Sequence, residues 1–179
     1  SQKGGYDFLH DRVREAFLNE VRKHEVAKIH DRIAATLEQS QIGESDQLYA
    51  IARHSSLGER LEPKNVLFFN SRAGQEAIKN YAFEEAYGFF KTAAEVSSGV
   101  EDLESFSESF GDACNETKRA REALDHYYRV IVKCTDPVSK AKLYTKVTRA
   151  YLANLELAQA REALSQGFRA LGNRPPRND

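Results

Sequence analysis

Residues 83–93 read Phe-Glu-Glu-Ala-Tyr-Gly-Phe-Phe-Lys-Thr-Ala. Thirty-seven positions on, residues 120–130 read Ala-Arg-Glu-Ala-Leu-Asp-His-Tyr-Tyr-Arg-Val, and thirty-seven further, residues 157–167 read Leu-Ala-Gln-Ala-Arg-Glu-Ala-Leu-Ser-Gln-Gly. The three align on a small residue, Ala86, Ala123 and Ala160, followed four positions later by a large one, Phe90, Tyr127 and Leu164. A spacing of four puts both on one helix face. Upstream of each lies a second stretch with its own interior marks at the same offsets: Ala73-Gly74 and Ala77, Phe110-Gly111 and Cys114, Val147-Thr148 and Tyr151. Small residues such as Gly74 and Ala86 let two antiparallel helices approach closely, while large ones fill the space beside the contact. Agreement at two successive offsets predicts a repeated helix pair, with Ala86, Ala123 and Ala160 buried where helices meet.

The rest of the chain carries the same period. Val13, Ala16, Phe17 and Val21, then Val26, Ile29, Ile33 and Leu37, recur at helical spacing. Strand-like alternation is missing beyond a short remnant around Gly5–Phe8. Pro63 and Pro137 stand where first helical residues belong, Pro137 behind Asp136 as a ready cap, and Gly172 reads as a stop. The expectation is an all-α antiparallel helix-hairpin solenoid of about nine helices. Residues 1–60 form an N-terminal helical segment, 61–172 three helix pairs, and 173–179 a solvated tail or linker.

Composition bounds the function. The chain has 179 residues, with 26 Lys and Arg against 27 Asp and Glu, too balanced for the basic face of a nucleic-acid-binding domain. No apolar run approaches the roughly 20 residues that span a bilayer. Two Cys make no disulfide framework, which points to a reducing, cytoplasmic setting. The missing initiator Met and the ragged end point to a piece of something longer.

The paired pattern between about residues 64 and 171 resembles the tetratricopeptide repeat (TPR), whose usual period is about 34. Here three extra residues fall in each inter-repeat turn, and Asn70, Ser107 and Tyr144 stand where the family favours Trp. The resemblance implies a right-handed superhelix that binds protein partners. A second resemblance lies upstream. The stretch Tyr6–Ala16, with Ile29-His30-Asp31-Arg32-Ile33-Ala34 and Ala52-Arg53-His54, is similar to the junction after the winged-helix part of AAA/STAND-type multidomain signalling ATPases. It implies the helical arm of such a regulator, serving partner binding, self-association or autoinhibition. The alternative it implies is a ligand-sensing arm with a small molecule in a pocket among Phe68, Phe69 and Ile78. No Gly-rich phosphate loop occurs in the chain itself.

Catalytic chemistry finds little support. His10-Asp11 and His30-Asp31 invite a divalent metal, yet no two His stand four apart, so capping and flanking roles are expected, with no cofactor. Cys114 and Cys134 would lie roughly 15–20 Å apart along antiparallel helices, too far to bridge. No Gly-x-Ser-x-Gly turn is present. The chain reads as non-enzymatic.

Seven aromatics fall between Phe68 and Phe90, with Phe83, Tyr87 and Phe90 on one face, where contact with a neighbouring repeat is the ordinary use. In the TPR register the first helix of each pair lines a concave groove. The register puts Phe68, Ser71, Gln75 and Ile78 there, then Ser105, Glu108, Asp112 and Asn115, then Lys142, Thr145, Arg149 and Leu152. Lys146 joins Lys142 and Arg149 in a basic ridge. The groove then runs apolar, acidic, basic, with six acids and no base between Glu101 and Glu116. The family's clamp for chaperone peptides puts Lys and Asn where Ser71 and Gln75 stand, and an acidic middle repeat would repel such peptides. The partner expected is another protein or peptide, a further domain of the same protein, or a second copy, and neither nucleic acid nor membrane.

Overall fold

Proline and aspartate set helix starts where the sequence places them. Pro63 and Pro137 occupy first turns, and the Asp136 carboxylate accepts a 2.8 Å hydrogen bond from the Ser139 backbone N–H, pinning the start of its helix. The structure, a computed structural model, describes residue 12 and residues 23–39, 44–59, 62–96 and 104–174. Eight helices occur among the described residues: α1 (Lys23–Gln39), α2 (Glu44–Leu57), α3 (Pro63–Lys79), α4 (Phe83–Val96), α5 (Glu104–Glu116), α6 (Ala120–Lys133), α7 (Pro137–Ala153) and α8 (Leu157–Ala170). No strand occurs among them. The expected remnant at Gly5–Phe8, the helix on Val13–Val21 and most of the Tyr6–Ala16 stretch lie outside the described residues, as does the tail from residue 175.

The closest associations are α3 with α4, α5 with α6 and α7 with α8, and each pair packs on the next through α4–α5 and α6–α7. The result is an all-helical solenoid of TPR-like hairpins. The alanines explain the pairing. Ala86 and Ala123 are fully buried and Ala160 nearly so. Opposite them, a Cβ on Gly74 would lie 2.8 Å from the Phe90 ring, and one on Gly111 would lie 2.7 Å from the Tyr127 ring. The rings fill the room that a side chain would need. In the third pair the equivalent residues are Thr148 and Leu164, where the smaller leucine leaves room for a branched neighbour.

The hairpin turns repeat as closely as the helices. Tyr81, Lys118 and Leu155, each thirty-seven apart, adopt left-handed φ of 59°, 63° and 59°. The N–H groups of the following residues, Ala82, Arg119 and Glu156, return to the carbonyls of Ala77, Cys114 and Tyr151 at 2.8–2.9 Å. Gly172 ends α8 at φ 74°.

A fourth hairpin, α1–α2, precedes these three. Its cross-contacts run in opposite senses along the two helices: Gln47 donates to the Leu37 carbonyl, the His30 and His54 rings meet, and the Glu59 N–H donates to Asp31. Asn70 locks α2 onto α3. Nearly fully buried, its amide Nδ2 donates to the Ala52 carbonyl, to Ser56 Oγ and to the Val66 carbonyl at 2.9–3.2 Å. Packing therefore runs on across residue 60, through Ala52, Ala73 and Phe89.

Two glycines of one chemistry make opposite predictions. Gly111→Ala drives a methyl into the Tyr127 ring and should cost about 1–3 kcal/mol. Gly88→Ala, on an open helix face, should gain up to about 1 kcal/mol. Ala123→Glu buries an unpaired charge and should unfold the chain near room temperature. Thermal melts followed by circular dichroism decide all three, and an Ala123→Glu variant melting within a few degrees of the parent would refute the register.

Candidate partner-binding surface

The first helices of the repeats, α3, α5 and α7, carry the expected groove positions in equivalent places: Ser71, Glu108 and Thr145 form one row, and Gln75, Asp112 and Arg149 the next. The structure brings α5 and α7 together through Lys146. Its ammonium lies 2.7 Å from Glu108 Oε1 and 2.6 Å from Asp112 Oδ2, and the other Asp112 oxygen accepts the Tyr127 hydroxyl proton at 2.9 Å. Burial pulls the Lys146 pKa down, but the hydrogen bonds from Asp112 and Glu108, with their charges, outweigh it and hold the ammonium above its ordinary value. The same burial, helped by Asp112, pushes the Tyr127 phenol far up, so it stays a proton donor.

This network changes the charge order expected from sequence. Glu108 and Asp112 are the acidic middle of the expected groove, yet both pair with one base from the next repeat. Lys146 accordingly leaves the basic ridge, and Lys142, Thr145 and Arg149 remain exposed along α7 with Leu152. Repulsion of an acidic peptide by the middle repeat is weakened accordingly.

The apolar end is partly open. Phe68 is 52 % exposed, edge-on to Phe69 at 5.2 Å and beneath the Arg72 guanidinium at 5.5 Å. Ile78 packs against the core, and Ser71 and Gln75 are half-buried. An open cleft of about 360 Å³ lies elsewhere, between α2, α3 and α4, lined by Arg53, Ser56, Asn70, Glu85 and Phe89 among others. Three of the remaining aromatics contact neighbouring hairpins. Phe90 meets Phe106 and Phe110 at 5.7 Å, Tyr87 meets Phe110 at 5.8 Å, and Phe89 meets Tyr49 at 5.4 Å. Tyr81 stays exposed on its turn.

Sequence reasoning missed a polar clasp at the turn between α5 and α6. Arg119 lies over the Tyr87 ring at 3.9 Å and pairs with Glu84 at 3.1 Å, while the Tyr87 hydroxyl donates to Glu122 at 3.2 Å. Cys114 lies beside Glu122, and burial together with that charge pushes its thiol up to about 12, so it is inert. Both cysteines are free thiols. The repeat offset was the available signal, because Arg119 follows the turn that the offset identifies.

His30-Asp31 has a mechanical role. His30 Nδ1 lies 2.6 Å from His54 Nδ1, so one ring donates and the other accepts, and Asp31 holds the backbone beyond α2. His10-Asp11 lies outside the described residues, among which no group of three or more His, Cys, Asp and Glu side chains is placed to hold a metal ion. No described helix is long and apolar enough to cross a membrane.

No protein-family model matches the chain, and no curated protein is similar to it. Two solved structures resemble it, of a kinesin light chain-like protein of Podosopora anserina with nearly identical TPR-like repeats and of a point variant of that protein. Each is 12 % identical, with a TM-score of 0.48 over 90 % of this chain and 92 % of theirs.

Two outcomes test this geometry. Lys146→Met strands Glu108 and Asp112 against each other and should cost about 1–2 kcal/mol, with Asp112→Asn and Lys146→Met non-additive in a double-mutant cycle. Burial, then nearby charges, lowers the pKa values of His54 and His126 below 6.5. Their stabilising contribution is complete above 6.5 and lost as pH falls through the lowered folded values. Denaturant midpoints measured from pH 7.5 to 5 should therefore fall, and His126→Leu should flatten that fall; a midpoint independent of pH would refute it.

Proposed function

We propose that the chain is a non-catalytic interaction and regulatory arm of a multidomain signalling ATPase, binding a protein or peptide segment along α3, α5 and α7. The observation that carries the reading is the division of charge on these helices. Lys146 satisfies Glu108 and Asp112 within the fold, whereas Lys142, Thr145 and Arg149 stay exposed at one end of the row and Phe68 at the other. An acidic stretch meets Lys142 and Arg149, and an apolar anchor meets Phe68 beside Ile78. Exposed charge pairs mainly steer association, each worth less than about 1 kcal/mol, so the anchor supplies the affinity. Solenoids suit this use because stacked pairs give an extended surface at little cost in stability. The cytoplasm is the fitting compartment for two free thiols. A small-molecule-sensing arm draws less support, because half-exposed Phe68 belongs to an open surface.

Selection of displayed random peptides on the whole chain supplies the probe. Enriched peptides should join an aromatic or aliphatic anchor to acidic residues. Lys142→Glu with Arg149→Glu should slow their association about tenfold and flatten its salt dependence with helicity intact. Phe68→Ala should speed dissociation instead. Peptides whose kinetics ignore both changes would move the site off these helices.

A further inference from the structure

In the first two repeats the large residue after the buried alanine is enclosed from both sides. Phe90 lies on Gly74 of its own hairpin and on Phe106 and Phe110 of the next. Tyr127 lies on Gly111 and faces Lys146 of the next. Both are essentially fully buried, whereas Leu164, at the same position of the third repeat, is 43 % exposed. The difference is not confined to one residue. Leu157 and Leu171, seven before and seven after Leu164, are 66 % and 45 % exposed, while their equivalents Ala120 and Cys134 are packed into the core. Phe168 completes the row, and its equivalent Ile131 is buried. The outer face of α8 is therefore an apolar stripe at helical spacing, in the register of a repeat-to-repeat interface, and no described helix covers it.

We propose that a second copy of the chain covers this stripe, with α8 antiparallel to the partner's α8 about a two-fold axis at Leu164. The inference concerns another face than the groove and does not rest on it. The stripe is self-complementary in that arrangement. Leu164 meets the partner's Leu164, Leu157 meets the partner's Leu171, and Arg161 comes opposite the partner's Phe168. Arg161 decides for a copy over one more apolar repeat helix. It stands where Tyr87 and Leu124 pack in the earlier repeats, and a guanidinium in an apolar row needs an aromatic face to stack on, which the two-fold supplies. Arg169 and Glu162, paired at 3.3 Å along α8, are exposed and suit a polar rim. One helix pair is a small interface, so the dimer is reversible, with Kd on the order of 10–100 µM.

Sedimentation equilibrium of the 179-residue chain from about 2 to 200 µM should show a mass rising from 20.2 kDa towards twice that value. Leu164→Glu and Leu157→Glu should weaken the dimer at least about tenfold with helicity and melting unchanged, since both leucines are exposed. Lys142→Glu with Arg149→Glu should leave it intact, which separates this surface from the groove. In a Cys134→Ser background, Leu164→Cys should oxidise to a disulfide-linked dimer, and Leu152→Cys, on the groove side, should not. The cysteine pair keeps the test decisive should a glutamate variant misfold. A chain monomeric throughout the range, a dimer that survives Leu164→Glu, or equal cross-linking through Leu152→Cys would overturn the proposal.

Discussion

The fold depends on how closely two helices can approach at Gly74 and Gly111. With no Cβ at either place, an aromatic ring from the second helix of the pair lies directly on the backbone of the first. A ring seated there is broad enough to reach the next hairpin as well, so the contact that closes one pair also mounts the following one. Phe90 does this towards Phe106 and Phe110, and Tyr127 towards Lys146. Dispersion and burial at one point thus serve both the hairpin and the stack. Where the pair changes to Thr148 and Leu164 the hairpin still closes, but the leucine lacks the span of a ring and its outer side lies open.

Apolar helices packed in this way could slide by a turn at modest cost, so register needs directional contacts. Asn70 supplies one between α2 and α3, using a single amide nitrogen against three acceptors. Lys146 supplies another between α5 and α7, and Arg119 with Tyr87 and Glu122 a third across the turn that joins α5 to α6. For buried Asn70 a shift by one turn would leave a poorly solvated amide without its partners, a penalty that exceeds the gain from making the bonds. A polar residue in the position the TPR pattern gives to Trp is therefore a substitution of mechanism. Asn70 fixes by hydrogen bonding what a large ring fixes by shape.

How far the sequence revealed this follows from which interactions are local. The helices and the hairpin unit were legible because alanine, glycine and the large residues recur at two offsets, and their periodicity reports the buried face directly. The turns were not. Tyr81, Lys118 and Leu155 share a left-handed backbone but no side-chain chemistry, and the pattern that normally marks such a turn, a glycine, is missing from all three. The groove was legible only by row. Spacing along α7 puts Lys142, Lys146 and Arg149 on one ridge, but it cannot tell that Lys146 reaches back to Glu108 and Asp112 of the preceding repeat. That depends on how α7 packs across the stack on α5, which spacing along a single helix does not report.

The fate of Lys146 also determines what the surface presents. A cation inserted between Glu108 and Asp112 offsets one of their two negative charges, so the contrast of acid and base along α3, α5 and α7 is weaker than the rows of residues suggest. The field stays negative over α5, which carries four acids and no base, and is positive over α7, where Lys142 and Arg149 stand exposed. Beyond about 10 Å at physiological salt exposed charges are largely screened, so the pull of such a patch is short-ranged. In the proposed binding mode an acidic segment is drawn first to α7, and its contact with Phe68 on α3 follows once it lies along the stack. The network that fixes the register of two helices also takes Lys146 out of the exposed basic row, so that in the proposed binding mode the acidic part of a segment lies towards α7 and its anchor towards α3.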